Sequence, residues 1–340
     1  MPYGDNFGEH AYVVGIDYKA KFFEEIRRRL VIPRFAATTN LEQRNGTTVD
    51  VTKLLDPSLV TRPAEGIEED EGEEISTEHL QFEVRRYNRW FPTYRHVVKT
   101  AEDDVLAMTK KAARKQIHHS MENLGANIIR GGTSVFHSDG TLSEHVATTV
   151  RSGMIKVAER YLMNNEVEEI TEMQASSANY EMMPLDNCFI GMCDGDIAAD
   201  IANLSDAIKV ENYASGAERL PGEFAKVGKV RFLSTSFLPP ELGAGATVDA
   251  SDYKATNPSA VNKADVYPII IFGQDAFEFG GLQGESDLEI NVHNAQVSAA
   301  DKHGNKGFIS WQTWFGGLIR EPKAITRLEC VAKTDAKLGA

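Results

Sequence analysis

The 340-residue sequence is poor in cysteine, in long apolar runs and in positive charge, and each shortage removes a class of protein. Its three cysteines, Cys188, Cys193 and Cys330, include no Cys-x-x-Cys pair, which argues against a zinc ribbon or a disulfide-stapled scaffold. They are expected as reduced core residues. No stretch approaches the roughly 18 consecutive apolar residues of a membrane span, so no membrane is expected as a partner. The start, Met1-Pro2-Tyr3-Gly4-Asp5, lacks the basic-then-apolar order of a signal peptide, and an intracellularly made protein is expected. Lys and Arg number 36 against 50 Asp and Glu, a net charge of -14. Phosphate binding rests on clustered cations that release counterions, so this balance argues against a non-specific grip on nucleic acid. A protein lining a DNA container without gripping the DNA fits this charge, as do many enzymes.

Catalytic signatures are equally scarce. There is no His-Glu-x-x-His and no Gly-x-Ser-x-Gly. His118 and His119 are adjacent, so on a helix they point about 100° apart and do not easily share a metal ion. Gly243-Ala244-Gly245 opens like a dinucleotide loop, but Val248 stands where the third glycine belongs and Pro239-Pro240 precede it in place of a strand. Asp194-Gly195-Asp196 follows the apolar run Cys188 to Cys193, where an α/β enzyme places functional carboxylates. The simpler reading is that Asp194 or Asp196 caps the helix that follows. The alternative is a metal-dependent phosphotransferase or hydrolase centred on Asp194, Asp196 and Asp200. No cofactor or metal is expected on the first reading.

What is present is a globular composition, 42% hydrophobic and 25% charged, arranged as an α+β pattern. Residues 1–44 read as an arm with one helical candidate, Tyr18 to Leu30, whose stripe of Phe22, Ile26 and Leu30 is too narrow to stand alone. Two alternating runs follow: Val49 and Val51 after the Asn45-Gly46 turn, and Leu80, Phe82 and Val84 before Tyr87, Trp90 and Phe91. Between them, residues 65–78 hold eight acids and no Lys or Arg. The pattern predicts a two-stranded projection with an acidic tip, against the plainer alternative of a solvated loop.

Thr100 to Asp103 reads as a capping box, and the spacing predicts a helix of about 25 residues, roughly 37 Å long, closed by Gly125. Leu106, Ala113, Ile117, Met121 and Leu124 form one face, and Lys110, Lys111, Arg114, Lys115 and His118 the other. A second helix is expected from Thr141 with the stripe Val146, Val150, Met154, Val157 and Tyr161. Short apolar runs then alternate with turns: Cys188 to Cys193, a helix Asp196 to Leu204, and strands at Val230 to Leu233, Tyr267 to Phe272, Phe308 to Ile319 and Ile325 to Val331. Residues 239–265 read as a long surface loop, and the Trp311, Trp314, Phe308 and Phe315 group as packed core.

Several blocks in this order resemble one family. They are Gly125-Ala126-Asn127-Ile128-Ile129-Arg130-Gly131-Gly132, Gly191 to Ile201 leading to Glu211-Asn212-Tyr213-Ala214, and Gly222 to Leu233. Tyr267-Pro268-Ile269-Ile270-Ile271-Phe272-Gly273 and Lys306 to Phe315 continue the series. Together they span roughly two thirds of the chain, far more than any short motif. The sequence resembles the major capsid proteins of tailed bacteriophages typified by the short-tailed coliphage N-four, which have the Hong Kong 97-type capsid fold. It departs at Met192-Cys193-Asp194, where members often carry His-Pro-Asp, and in its longer acidic tip.

The resemblance implies an N-terminal arm (1–44), an extended E-loop hairpin (45–97), a peripheral domain with the spine helix (98–178), an axial domain (179–300) and a return to the peripheral domain (301–340). It implies a non-enzymatic subunit found in the virion and made in the host cytoplasm. Its expected partners are copies of itself as hexamers and pentamers, scaffolding, portal and decoration proteins, and packaged DNA contacted without sequence preference. An encapsulin-like compartment with the same fold is the alternative. Expected assembly residues are the tip acids Glu68, Glu69, Asp70, Glu71, Glu73 and Glu74, facing Arg27, Arg28 and Arg29 or Lys110, Lys111, Arg114 and Lys115 of a neighbour.

Overall fold

Alternation of period two and stripes of period 3.6 dictate which faces are buried, and the observed elements follow them. The computed structural model describes residues 31–42, 46–55, 57, 74–100, 105–174, 182–212, 220, 222–256, 262–282, 289–297 and 301–338. A 3-10 turn, Ile32–Phe35, leads into β1 (Ala37–Leu41), and β2 (Thr48–Leu54) and β3 (Thr77–Glu83) form a hairpin. β4 (Arg85–Tyr94), α1 (Arg95–Thr100) and α2 (Val105–Ile129) follow. Next come β5 (Val135–His137), α3 (Ser152–Asn164), β6 (Ile170–Gln174), β7 (Met182–Cys193), α4 (Gly195–Ala202) and β8 (Ile208–Lys209). The rest is strand-rich: β9 (Glu223–Val227), β10 (Val230–Ser234), β11 (Ala255–Thr256), β12 (Lys263–Ala264), β13 (Val266–Phe272) and β14 (Phe277–Leu282). β15 (Glu289–His293), β16 (Lys306–Ile319), β17 (Ile325–Val331) and α5 (Asp335–Leu338) complete it.

Two larger sheets organise these elements. One runs β5-β17-β13-β7-β10-β9-β8, with β6 also paired to β7. Every residue of β13 is buried, because the strand is covered on both faces. Ile270 and Phe272 face one apolar cluster, shared with the 3-10 turn and α2, while Ile269 and Ile271 face another. That second cluster holds Ile155, Ala158 and Leu162 of α3 and Ile197 and Ile201 of α4. The other sheet runs β1-β14-β16-β15, with β4 paired along the free side of β16 from Arg85↔Phe315 to Tyr94↔Lys306. Along its flank α2 packs Ala113 and Ile117 against Trp311 and Ile290.

Three expectations are corrected. Gly125 does not end the long helix, which continues to Ile129. A Cβ there would stand 3.1 Å from Ile32 and 3.3 Å from Phe279, so the glycine serves a close approach instead of a terminus. The second helix begins at Ser152, with Arg151 at its N-cap, and not near Thr141. Residues 146–148 are held extended by Ala246 N–H donating to the Val146 carbonyl and Val331 N–H donating to that of Thr148. Val146 and Val150 are therefore buried without being helical, and the true stripe is Ile155, Ala158 and Leu162. Residues 239–265 are more than a surface loop where described: Gly245 and Ala246 bond to the chain at Ala264, and Ala244 and Val248 pack on Val146, Val266 and Val331.

The predicted helix Tyr18 to Leu30 lies outside the described residues, as do Ala101 to Asp103 of the predicted cap; Thr100, its first residue, instead closes α1 and donates its hydroxyl to the His96 carbonyl.

Candidate assembly surfaces

β2 and β3 pair in register, Thr48↔Glu83 through Leu54↔Thr77, and among the described residues neither pairs with another strand. Val49, Val51, Phe82 and Val84 bury one face at the root, where Trp314 and Leu318 of β16 close over them. Farther out the apolar side chains have no cover: Leu54 is 66% exposed and Ile75 is 80% exposed. Lys53 forms an ion pair with Glu321, tying the hairpin's flank to the body. Of the predicted tip acids, Glu74 is described and is exposed; Glu68, Glu69, Asp70, Glu71 and Glu73 lie outside the described residues, as do Arg27, Arg28 and Arg29.

The four helical cations are brought together by α2. Lys111 and Lys115 are one turn apart and exposed, and Lys110 and Arg114 form a parallel, half-buried row.

A second surface was missed from sequence. β16 alternates from Lys306 to Phe315, so Ile309, Trp311 and Phe315 point into the core while Phe308, Ser310 and Gln312 do not. Phe308 is thus a correction to the packed-core reading, and its ring stacks on His293 at 5.2 Å. Its neighbour across the pair Trp90↔Ser310 is Trp90, which is 63% exposed. Trp90, Phe308, Asn291 and Gln312 line an open groove of about 460 Å³. The signal was available: Trp90 shares its parity with Arg86 and Asn88, not with Tyr87 and Phe91.

The carboxylates of the competing enzymatic reading have structural partners. Asp194 caps α4, accepting the Asp196 N–H at 3.0 Å. Burial raises the Asp194 carboxyl above its ordinary value despite that bond. Asp196 accepts the Tyr267 hydroxyl at 2.8 Å and pairs with Lys254 at 2.7 Å. Burial pushes Asp196 up, but the Lys254 and Tyr267 hydrogen bonds outweigh it and hold the carboxyl below its usual range. One oxygen of Asp200 accepts from Thr149 Oγ1 and Lys333 N–H, both at 3.0 Å, while Oδ1 is buried with no hydrogen-bond partner among the described residues. No group of three or more His, Cys, Asp or Glu side chains is placed to hold a metal among the described residues. Cys188, Cys193 and Cys330 are thiols buried in the core and not bridged by disulfides, and burial raises those of Cys193 and Cys330.

The fold places the chain in a known class. It has the Hong Kong 97-type fold of tailed-phage capsid proteins. The capsid of Ralstonia phage GP4 superposes with a TM-score of 0.60 at 12% identity, covering 88% of each chain. The cyanophage Pam1 capsid gives 0.58 at 11% identity over 91% of this chain and 92% of that one. The head of Helicobacter pylori bacteriophage KHP40 gives 0.58 at 9% identity over 88% of each. In sequence, the chain is 23% identical over 186 residues to the major capsid protein of Pseudomonas phage KPP21. That match covers 51% of this chain and 46% of the relative, so it spans less than half the relative's length. No sequence-family profile matches the chain.

Proposed function

We propose that this chain is a major capsid protein, a structural subunit that assembles with copies of itself into the icosahedral head around the DNA of a tailed phage. The observation that carries this reading is the capsid fold, shared over nine-tenths of the chain with the Pam1 subunit. The hairpin supports it independently, since two strands alone are marginal in water and gain stability by covering another surface. In this reading residues 1–44 are the arm, 45–97 the E-loop, 98–178 and 301–340 the peripheral domain, and 179–300 the axial domain. Hexamers and pentamers build the shell in closed symmetry, with scaffolding, portal and decoration proteins as further partners. The net charge of -14 lets packaged DNA lie against the wall without being gripped. The chain is made in the host cytoplasm and ends in the virion.

The acidic tip, Glu68 to Glu74, meets a basic surface of the neighbour, at Arg27 to Arg29 or at the α2 row of Lys110, Lys111, Arg114 and Lys115. Charge of this kind sets register and encounter more than affinity.

Negative-stain electron microscopy with sedimentation, on the purified chain alone and with its genomic neighbours, tests the proposal. Closed shells or rings of five and six subunits are expected. A compact monomer under every condition, above all one carrying a stoichiometric metal, would overturn it. Reversing Glu69, Glu71 and Glu73 to Lys should hinder assembly and leave the monomer folded; normal shells from that variant would remove the tip from the mechanism.

A further inference from the structure

Two unburied surfaces of the chain have complementary chemistry. The first is the outer end of the hairpin. Leu55 N–H donates to the Ser76 carbonyl at 3.0 Å, so Leu54, Leu55 and Ile75 gather where the ladder of β2 and β3 ends. All three are exposed, and Ile75 stands between the exposed acids Glu74 and Glu78. The sequence around them is one-sided in charge, with eight acids and no Lys or Arg in residues 65–78.

The second is the sheet face that α2 leaves uncovered. By strand register the even-numbered residues of β4 and β16 share this side, which places Arg86 and Trp90 beside Lys306, Phe308 and Ser310. Arg85 is already paired with Glu83, so the positive charge of the groove's surroundings lies on Arg86, Arg89 and Lys306, all exposed. Neither β4 nor β16 contains an acid, and β15 contains one, Glu289, opposite Gln312. The face is therefore aromatic and cationic where the hairpin end is aliphatic and anionic.

The chain's own hairpin does not fill this groove. Leu54 and Leu55 border a cleft with Arg320 and Glu321, just past the end of β16, where Lys53 also pairs with Glu321. The groove lies toward the start of β16, around Phe308 to Gln312. The seven residues from Gln312 to the strand's end at Ile319 span about 23 Å. Hairpin end and groove thus sit at opposite ends of one strand.

We propose that the groove between β4 and β16 is the seat for the hairpin end of a second copy. Leu54, Leu55 and Ile75 cover Trp90 and Phe308, while Glu74 and Glu78 face Arg86 and Arg89. The aromatic anchors supply most of the affinity, and the charges around them set the register. Each copy carries one hairpin end and one groove, so the contact runs head to tail and closes into a ring where the rotation between copies allows. A nucleic-acid strand would meet the same cations but would leave the aliphatic end of the hairpin uncovered. The inference rests on the proposed shell role and names for the hairpin a receptor other than the α2 row.

Cross-linking between two copies tests the seat. A full-length chain carrying Ile75→Cys is mixed with one carrying Ser310→Cys, whose position lies between Trp90 and Asn291 in register. In parallel it is mixed with one carrying Lys111→Cys, on the exposed side of α2. Cys188, Cys193 and Cys330 are buried, so a short bis-maleimide joins the introduced thiols, and a size tag on one chain marks the mixed dimer. Joining to position 310 should be roughly tenfold or more faster than joining to position 111. Adding Trp90→Ala to the Ser310→Cys chain should abolish that excess; Trp90 is 63% exposed, so the subunit fold is retained. Equal rates at the two positions, faster joining at position 111, or an excess that survives Trp90→Ala would each overturn the seat. Quenching of tryptophan fluorescence by oligothymidylate, with no excess at position 310, would do so as well. Electron microscopy of the wild-type chain separates the two failures: shells with joining at position 111 keep the shell role and remove the groove, whereas no shells and no excess at either position remove both.

Discussion

Adding a single methyl group at Gly316 should loosen the hairpin at its root. Gly316 is buried in β16 and pairs with Gly280. A Cβ at this position would lie 2.5 Å from the Glu83 carbonyl oxygen and 3.0 Å from the Val84 Cα. Both are backbone atoms and cannot rotate aside. The backbone they belong to is where the hairpin closes, with Val84 N–H donating to the Thr47 carbonyl at 2.8 Å. Overpacking of this kind costs about 1–3 kcal/mol, because strands must separate to admit the new atom.

Gly153→Ala supplies the control. It lies in α3 with nothing within 4 Å of the added carbon, so the same chemical change should stabilise by about 0.4–1 kcal/mol through the lost freedom of the unfolded chain. Urea unfolding of the free chain, followed by tryptophan fluorescence, reads both. All three tryptophans, Trp90, Trp311 and Trp314, lie on β4 and β16 beside the perturbed site. A Gly316→Ala midpoint equal to wild type, or one displaced no differently from Gly153→Ala, would refute the close-approach argument.

Removing the Asp194 cap in Asp194→Ala should cost about 1 kcal/mol in the same assay and leave the metal content unchanged. Loss of a stoichiometric ion would revive the hydrolase alternative. Ile117→Ala opens a cavity among Ala113, Ile290 and Trp311 where α2 meets β16, and should cost about 2–5 kcal/mol; a loss under 1 kcal/mol would mean that the helix rests elsewhere.

Where periodicity and burial coincide, the sequence was readable. The alternation of Val49 and Val51 against Leu80 and Phe82 became a registered hairpin, and the run at Tyr267 to Phe272 a fully buried strand. Reading failed where long-range contacts decide. Gly125 looks like a helix terminus until Ile32 and Phe279 arrive beside it from distant parts of the chain. Val146 and Val150 fall at helical spacing, yet hydrogen bonds from residues 246 and 331 hold the segment's start extended. Glu122 was overlooked as one polar residue among many, although its offsets to Gly125, Ala126 and Ile129 place it on the buried face. A charge on an apolar stripe is itself a signal, because it persists there only with a partner to receive it.

The same contrast separates the parts of the molecule that their own chain covers from those that it leaves exposed. The sheet around β13 is covered on both faces by its own chain, with Ile269 and Ile271 meeting one cluster and Ile270 and Phe272 the other. Nothing external is required to complete it. The hairpin buries Val49, Val51, Phe82 and Val84 at its root, but Leu54, Leu55 and Ile75 farther out are exposed. Trp90 and Phe308 likewise present aromatic area on a sheet face that α2 does not cover. Scattered exposed apolar residues are ordinary, whereas the outer part of the hairpin and the aromatic groove gather unburied apolar area that, in the proposed capsid role, a second copy would cover. If a second copy covers these surfaces, as the proposed capsid role requires, hairpin substitutions such as Ile75→Ser should weaken assembly while leaving the free chain's urea midpoint within about 0.5 kcal/mol of wild type. A variant that unfolds more readily yet assembles normally would reverse that division.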